Sequence, residues 1–131
     1  MEINEIKPTA KATFQVKGIG GVVQAETFTV RFIGLNLVPD YVPQPGSGKK
    51  FRLSQSITDA LVDSIEAWTL THNGGQPLEC NEESKRKYLP YILGLEIIRE
   101  GKAPGADFEM DDVLGQALVN FAGDAENFLK N

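Results

Sequence analysis

Apolar and polar residues alternate along Ala12-Thr13-Phe14-Gln15-Val16-Lys17, and the same period of two returns in Thr27-Phe28-Thr29-Val30-Arg31-Phe32. A strand with that period puts one face on a core and the other in water. Between the two segments Gly18, Gly20 and Gly21 supply the backbone freedom of a turn, so the pattern predicts an antiparallel hairpin with a ragged loop end. An isolated hairpin is marginal in water, so this one must lie on something.

Beyond Ile33-Gly34 the pattern lapses into a connector punctuated by Pro39, Pro43, Pro45, Gly46 and Gly48. Helical spacing then begins, with Ser54 or Ser56 as N-cap, Asp59 in the first turn, and Ile57, Leu61, Ile65 and Trp68 on one stripe. The spacing predicts a helix ending near Leu70, with Trp68 in the core, because His72-Asn73-Gly74-Gly75 reads as a turn and Pro77 cannot continue a helix. Asn81-Glu82-Glu83 has the composition of a capped helix start. That helix is expected to run to about Leu89 and to break or turn at Pro90, followed by a second apolar stretch from Tyr91 to Arg99 that ends at Gly101. After a turn at Lys102-Ala103-Pro104-Gly105, Leu114, Ala117, Leu118, Phe121, Ala125, Phe128 and Leu129 recur at three- and four-residue spacing, which predicts one terminal helix up to the end of the sequence.

The fold class that follows is α+β, an N-terminal β-hairpin followed by a small bundle of three to four α-helices. It is expected to form a single domain over 1–131, with the hairpin region at 1–38, the Pro/Gly connector at 39–50 and the helical region at 51–131.

Composition narrows the function more than the fold. With 131 residues, 41% hydrophobic and 24% charged, the chain has the length of one ordinary globular domain with one core. No apolar run reaches the length that spans a bilayer, and MEINEIKPTAK lacks the basic start and apolar stretch of a secretory signal. Cys80, the single cysteine, cannot form an internal disulfide, which fits a reducing cytoplasm. A formal net charge of −5 opposes phosphate neutralisation, so nucleic acid is not an expected partner, and neither is a membrane.

Catalytic chemistry is hard to assemble from these residues. Gly46-Ser47-Gly48-Lys49-Lys50 looks like a phosphate-cradling loop, but that loop needs a leading Gly where Pro43 stands and a hydroxyl where Lys50 stands. A small nucleotide-dependent enzyme is therefore the weakest reading. His72 sits in a Gly-rich turn, and the acids around Cys80, beginning with Glu79, work against a reactive thiolate. One Cys and one His fall short of a structural zinc site. The acidic run Asp107-Phe108-Glu109-Met110-Asp111-Asp112 fails as a calcium loop, since its sixth position is Asp112 where Gly is needed and its twelfth is Leu118 where Glu is needed. No catalytic residue, metal or cofactor is expected. Phe121 and Phe128, seven apart on the terminal stripe, suit either a core or a helix-in-groove interface. So many apolar stripes on so few elements point to self-association.

From Ile65 to Glu83 the chain reads IEAWTLTHNGGQPLECNEE: a helix closing on Trp68, a turn at Asn73-Gly74-Gly75 with Gln76-Pro77, and a capped start at Asn81-Glu82-Glu83. With an alternating N-terminal segment and an amphipathic stretch from Leu114 to Lys130, it resembles the tail assembly chaperones of long-tailed bacteriophages. The resemblance covers roughly the last 75 residues well and the hairpin loosely. It implies a non-enzymatic protein of the host cytoplasm, absent from the mature virion, that oligomerises, coats the tape-measure protein and keeps it soluble. It also implies an extended form, made by frameshifting near Leu129-Lys130-Asn131, that recruits the tail-tube protein. Leu118, Phe121 and Phe128 are then the candidate partner contacts. The alternative is a structural minor tail or head-tail connector subunit that stays in the virion.

Overall fold

Two alternating segments and a glycine turn produce the expected hairpin. A computed structural model of the chain describes residues 5–18, 20–33, 41–43, 51–53, 55–100 and 112–130. Strand β1 (Thr9–Lys17) pairs antiparallel with β2 (Val23–Arg31) along its full length, Thr9 opposite Arg31 and Lys17 opposite Val23. The turn is closed by Gly18 N–H donating to the Val22 carbonyl at 2.8 Å, and it passes through Gly20 and Gly21 at φ of 89° and 84°, conformations that strain any side chain. Alternation sorts the faces: Ala10, Ala12 and Val16 are buried, while Lys11, Thr13 and Gln15 are exposed.

The hairpin is the middle of a larger sheet. Short strands β5 (Ile65–Trp68) and β8 (Glu96–Ile98) add to its two sides in the antiparallel order β5-β2-β1-β8. Helices α1 (Gln55–Ser64), α2 (Glu82–Ile92) and α3 (Leu114–Ala122) supply the other half of the core, where Phe28 and Val30 of the sheet meet Leu61, Leu89, Leu114 and Leu118. The architecture is thus α+β, with an N-terminal hairpin and, among the described residues, three α-helices. No helix among the described residues is long and apolar enough to cross a membrane.

Several boundaries differ from those the spacing predicted. The first helix stops at Ser64, and Ile65 to Trp68 form a strand. Spacing alone could not separate the two, because the unpaired side of β2 offers backbone partners that a continuing helix would forgo. There Phe28 lies opposite Trp68 and Val30 opposite Ile65, with a register shift between Thr29 and Val30, and the Ser64 hydroxyl donates to the Arg31 carbonyl at 2.7 Å. Ser56 lies inside α1 and does not cap it, and Ser54 lies outside the described residues. Asp59 falls beyond the first turn, where its carboxylate accepts from Gln55 at 3.0 Å and pairs with Arg86 of α2 at 3.2 Å. Trp68 is half-buried against the core, and its indole Nε1 donates to the Leu78 carbonyl at 2.8 Å.

The Gly-rich turn lies within a small hairpin, where β6 (Thr71–His72) pairs with β7 (Gln76–Pro77). Asn73, Gly74 and Gly75 have φ of 46°, 82° and 103°, which explains the residue types. Asn81 caps α2 as expected, its side-chain oxygen accepting from Ser84 N–H at 2.8 Å. The helix nevertheless runs through Pro90 to Ile92. Proline there removes only the bond to the Arg86 carbonyl, and the helix ends within a turn. Tyr91 to Arg99 therefore holds a helix end and a strand.

The terminal helix is divided. It ends at Ala122, Gly123 N–H donates back to Val119 at 2.8 Å, and Asp124 caps a separate 3-10 turn at Ala125–Phe128 by accepting from Glu126 N–H at 3.0 Å. The connector is structured in part: β3 (Tyr41–Pro43) pairs antiparallel with β4 (Phe51–Leu53). Residues Gly46 to Lys50, the turn from Lys102 to Gly105 and the run from Asp107 to Asp111 lie outside the described residues.

Candidate functional site

The kink at Gly123-Asp124 separates the three candidate contact residues. Leu118 faces inward from α3 and Phe128 is carried inward by the 3-10 turn, and both are 0% exposed. They belong to the core, and an outside partner has no access to either, which corrects their assignment as contacts. The Phe128 ring packs edge-on against Phe32, with centroids 5.6 Å apart, and is tilted against Phe121 at 5.9 Å. Phe121 is only half-buried: it rests on this aromatic group and also reaches solvent.

What Phe121 faces is a cleft of about 670 Å³ between α3 and the β1–β8 side of the sheet. Phe14, Ala117 and Phe121 provide its half-buried apolar residues. Asn120 and Asn127 contribute amides, and Arg99 and Glu100 line it where the chain leaves β8. Ala117 and Phe121 are one helical turn apart, so they share a face of α3, and that signal was present in the sequence. Phe14 carried no such mark, since its place in the alternation is the same as that of the buried Ala12 and Val16.

Arg99, which lines the cleft, forms an ion pair. Arg99 Nε donates to Asp112 at 2.6 Å, and the Asp112 carboxylate is 1% exposed. The acid that failed as part of a calcium loop therefore anchors the chain just ahead of α3. The adjoining backbone is tied by Leu114 N–H to the Leu95 carbonyl and Gly115 N–H to that of Leu93, both at 2.9 Å. Near Asn127, Lys7 N–H donates to the Phe128 carbonyl at 2.6 Å and Lys130 N–H to that of Glu5 at 3.1 Å.

A second, smaller cavity of about 300 Å³ lies against Val16, Phe28, Ile92 and Leu114, with Gln24 and Glu26 as polar lining. Glu26 is already engaged, accepting from the Thr69 hydroxyl at 2.6 Å. His72 is exposed at the tip of the β6–β7 hairpin beside Asn73. Cys80 is half-buried, and burial pushes its thiol up from the ordinary value of 9.0 while the nearby Lys85 ammonium partly opposes this. The dominant cause is thus desolvation rather than the acidic neighbours invoked from sequence. Among the described residues no three His, Cys, Asp or Glu side chains converge as metal ligands would.

The cleft can hold apolar side chains against two phenylalanines and satisfy polar groups at its rim, which is binding chemistry. No family model, curated protein or solved structure matches this chain.

Proposed function

We propose that this protein is a tail assembly chaperone of a long-tailed bacteriophage, acting in the host cytoplasm and absent from the mature virion. Its task is to bind apolar segments of the tape-measure protein and keep that long chain soluble while the tail tube polymerises around it. The observation that carries the reading is the cleft in which Phe121 and Phe14 stand half-exposed, at a place where Leu118 and Phe128 are committed to the core. An apolar floor with a polar rim offers contact area without base-specific or charge-specific readout, which suits a client of variable sequence. The net charge of −5 keeps many copies from aggregating with one another or binding the host's nucleic acid.

The experiment is co-expression. The tape-measure protein of the same phage, insoluble alone, is expected to become soluble with this chain and to co-purify with it, while purified virions are expected to lack the chain. A tape-measure protein equally insoluble in its presence contradicts the proposal, and stoichiometric retention in virions favours a connector or minor tail subunit.

A further inference from the structure

Among the described residues, the sheet edge beside the cleft is paired over only part of its length. Strand β2 pairs with all nine residues of β1, but β8 pairs only with Gln15, Val16 and Lys17. Which backbone groups of β1 point toward the side that β8 pairs in part follows from the phase of the ladder. Gly18 bonds to Val22, so the pairs two residues apart along β1, at Val16, Phe14, Ala12 and Ala10, are the ones that exchange hydrogen bonds with β2. Thr13 opposite Thr27 is then a non-hydrogen-bonded pair, in which side chains approach closely. The hydrogen bond of 2.8 Å between the two threonine hydroxyls fits that geometry. The N–H and C=O groups of Lys11 and Thr13 therefore face away from β2, toward the side on which β8 has already ended.

Thr13 and Phe14 line the cleft at this edge, and Ala117 and Phe121 of α3 line the same cleft. Lys11 and Thr13 are both exposed. An edge of this kind presents donors and acceptors at the two-residue repeat of a strand, about 6.6–6.8 Å, and only an extended backbone matches that spacing. A helix has its own N–H and C=O groups already paired and would leave these four edge groups facing it unmet.

We propose that the cleft takes its partner as an extended segment that adds to β1 beside Lys11 and Thr13, continuing the line of β8. Alternate apolar side chains of the segment face Phe14 and Phe121. The inference rests on reading the cleft as the partner site, but not on the partner being the tape-measure protein. Backbone pairing gives affinity with little demand on sequence, and the two phenylalanines select for an apolar residue at every second position.

Amide hydrogen exchange followed by NMR tests this on the whole chain, with a blocked peptide of alternating valine and threonine as the probe. In the free protein the Lys11 and Thr13 amides are expected to exchange fast while those of Ala10, Ala12 and Phe14 are protected. Peptide is expected to slow Lys11 and Thr13 by about tenfold or more. The same peptide N-methylated on the amides that face β1 is expected to have no such effect. Thr13→Pro, which removes an edge-facing N–H and spares the β2 ladder, is expected to abolish the response; if that variant fails to fold, the N-methylated peptide still decides. Protection of Lys11 and Thr13 without peptide, whether intrinsic or rising with protein concentration as a second copy docks, overturns the proposal. So does slowing by both peptides alike. Peptide-induced shifts at Ala117 and Phe121 without slowing at Lys11 and Thr13 strike strand addition while leaving the cleft as a binding site. Absence of any response strikes both.

Discussion

Lys85 on α2 donates from Nζ to the carbonyl oxygen of Val62 at 2.7 Å, in the last turn of α1. A second bond from the same ammonium reaches the carbonyl of Ile65 at 2.9 Å, where β5 begins. One side chain thus satisfies acceptors left over at a helix C-terminus and places a positive charge at the negative end of its dipole. It does so at the point where the chain turns from helix to strand. Replacing Lys85 by Met keeps the stem and removes both charged bonds, and is expected to lower the unfolding free energy by about 2 kcal/mol in urea titration. A loss within experimental error contradicts this role.

Cys80 gives stability a pH dependence of definite sign. Because burial raises its folded thiol pKa above the ordinary 9.0, the native state holds that proton more tightly than the unfolded state does. The corresponding stability is fully present below pH 9.0 and is lost as pH rises through the folded value. Denaturant midpoints are expected to fall above that pH in the wild type and to fall less in Cys80→Ala. Alkylation at neutral pH is expected to be slower in the native than in the unfolded chain, and slower still in Lys85→Met, which loses the opposing charge.

The Asp112 carboxylate pairs with the Arg99 guanidinium. Arg99→Met leaves that buried anion with less compensation and is expected to cost roughly 2–4 kcal/mol, measured by chemical denaturation. The double variant with Asp112→Asn is expected to recover part of the loss, since it no longer buries a charge. A cost for the double variant equal to the sum of the two single costs contradicts the pairing.

Serine substitutions along the terminal stripe are expected to separate core from surface. Leu118→Ser and Phe128→Ser each open a cavity and bury a hydroxyl, so each is expected to cost about 3–5 kcal/mol in thermal or chemical unfolding. Phe121→Ser loses a half-exposed ring and is expected to cost under about 2 kcal/mol. Equal costs at all three positions contradict the burial described here.

How far the sequence could be read depended on how local each cause was. Alternation around Phe14 and Phe28 revealed the hairpin, and Asn81-Glu82-Glu83 revealed a helix start, because period and capping act between near neighbours. Ile65 to Trp68 read as helix because their fate depends on the free side of β2, some 35 residues earlier in the chain. Glu96 to Ile98 is too short for a period to register, and its pairing with Gln15 to Lys17 is again remote in sequence. At the cleft, Phe121 was visible as an apolar residue on a stripe. Its separation from Phe128 was not, because a single break at Gly123-Asp124 turns one continuous spacing into two elements with different directions.

The central claim is that a half-exposed phenylalanine in this cleft holds a client chain in solution. The most direct measurement is the soluble fraction of the tape-measure protein co-expressed with wild type, with Phe121→Ser, and with Tyr91→Ser as an exposed control on α2. The account predicts that wild type and Tyr91→Ser keep the client soluble, and that Phe121→Ser, folded and equally abundant, lets most of it aggregate. Full solubility with a folded Phe121→Ser protein would contradict it.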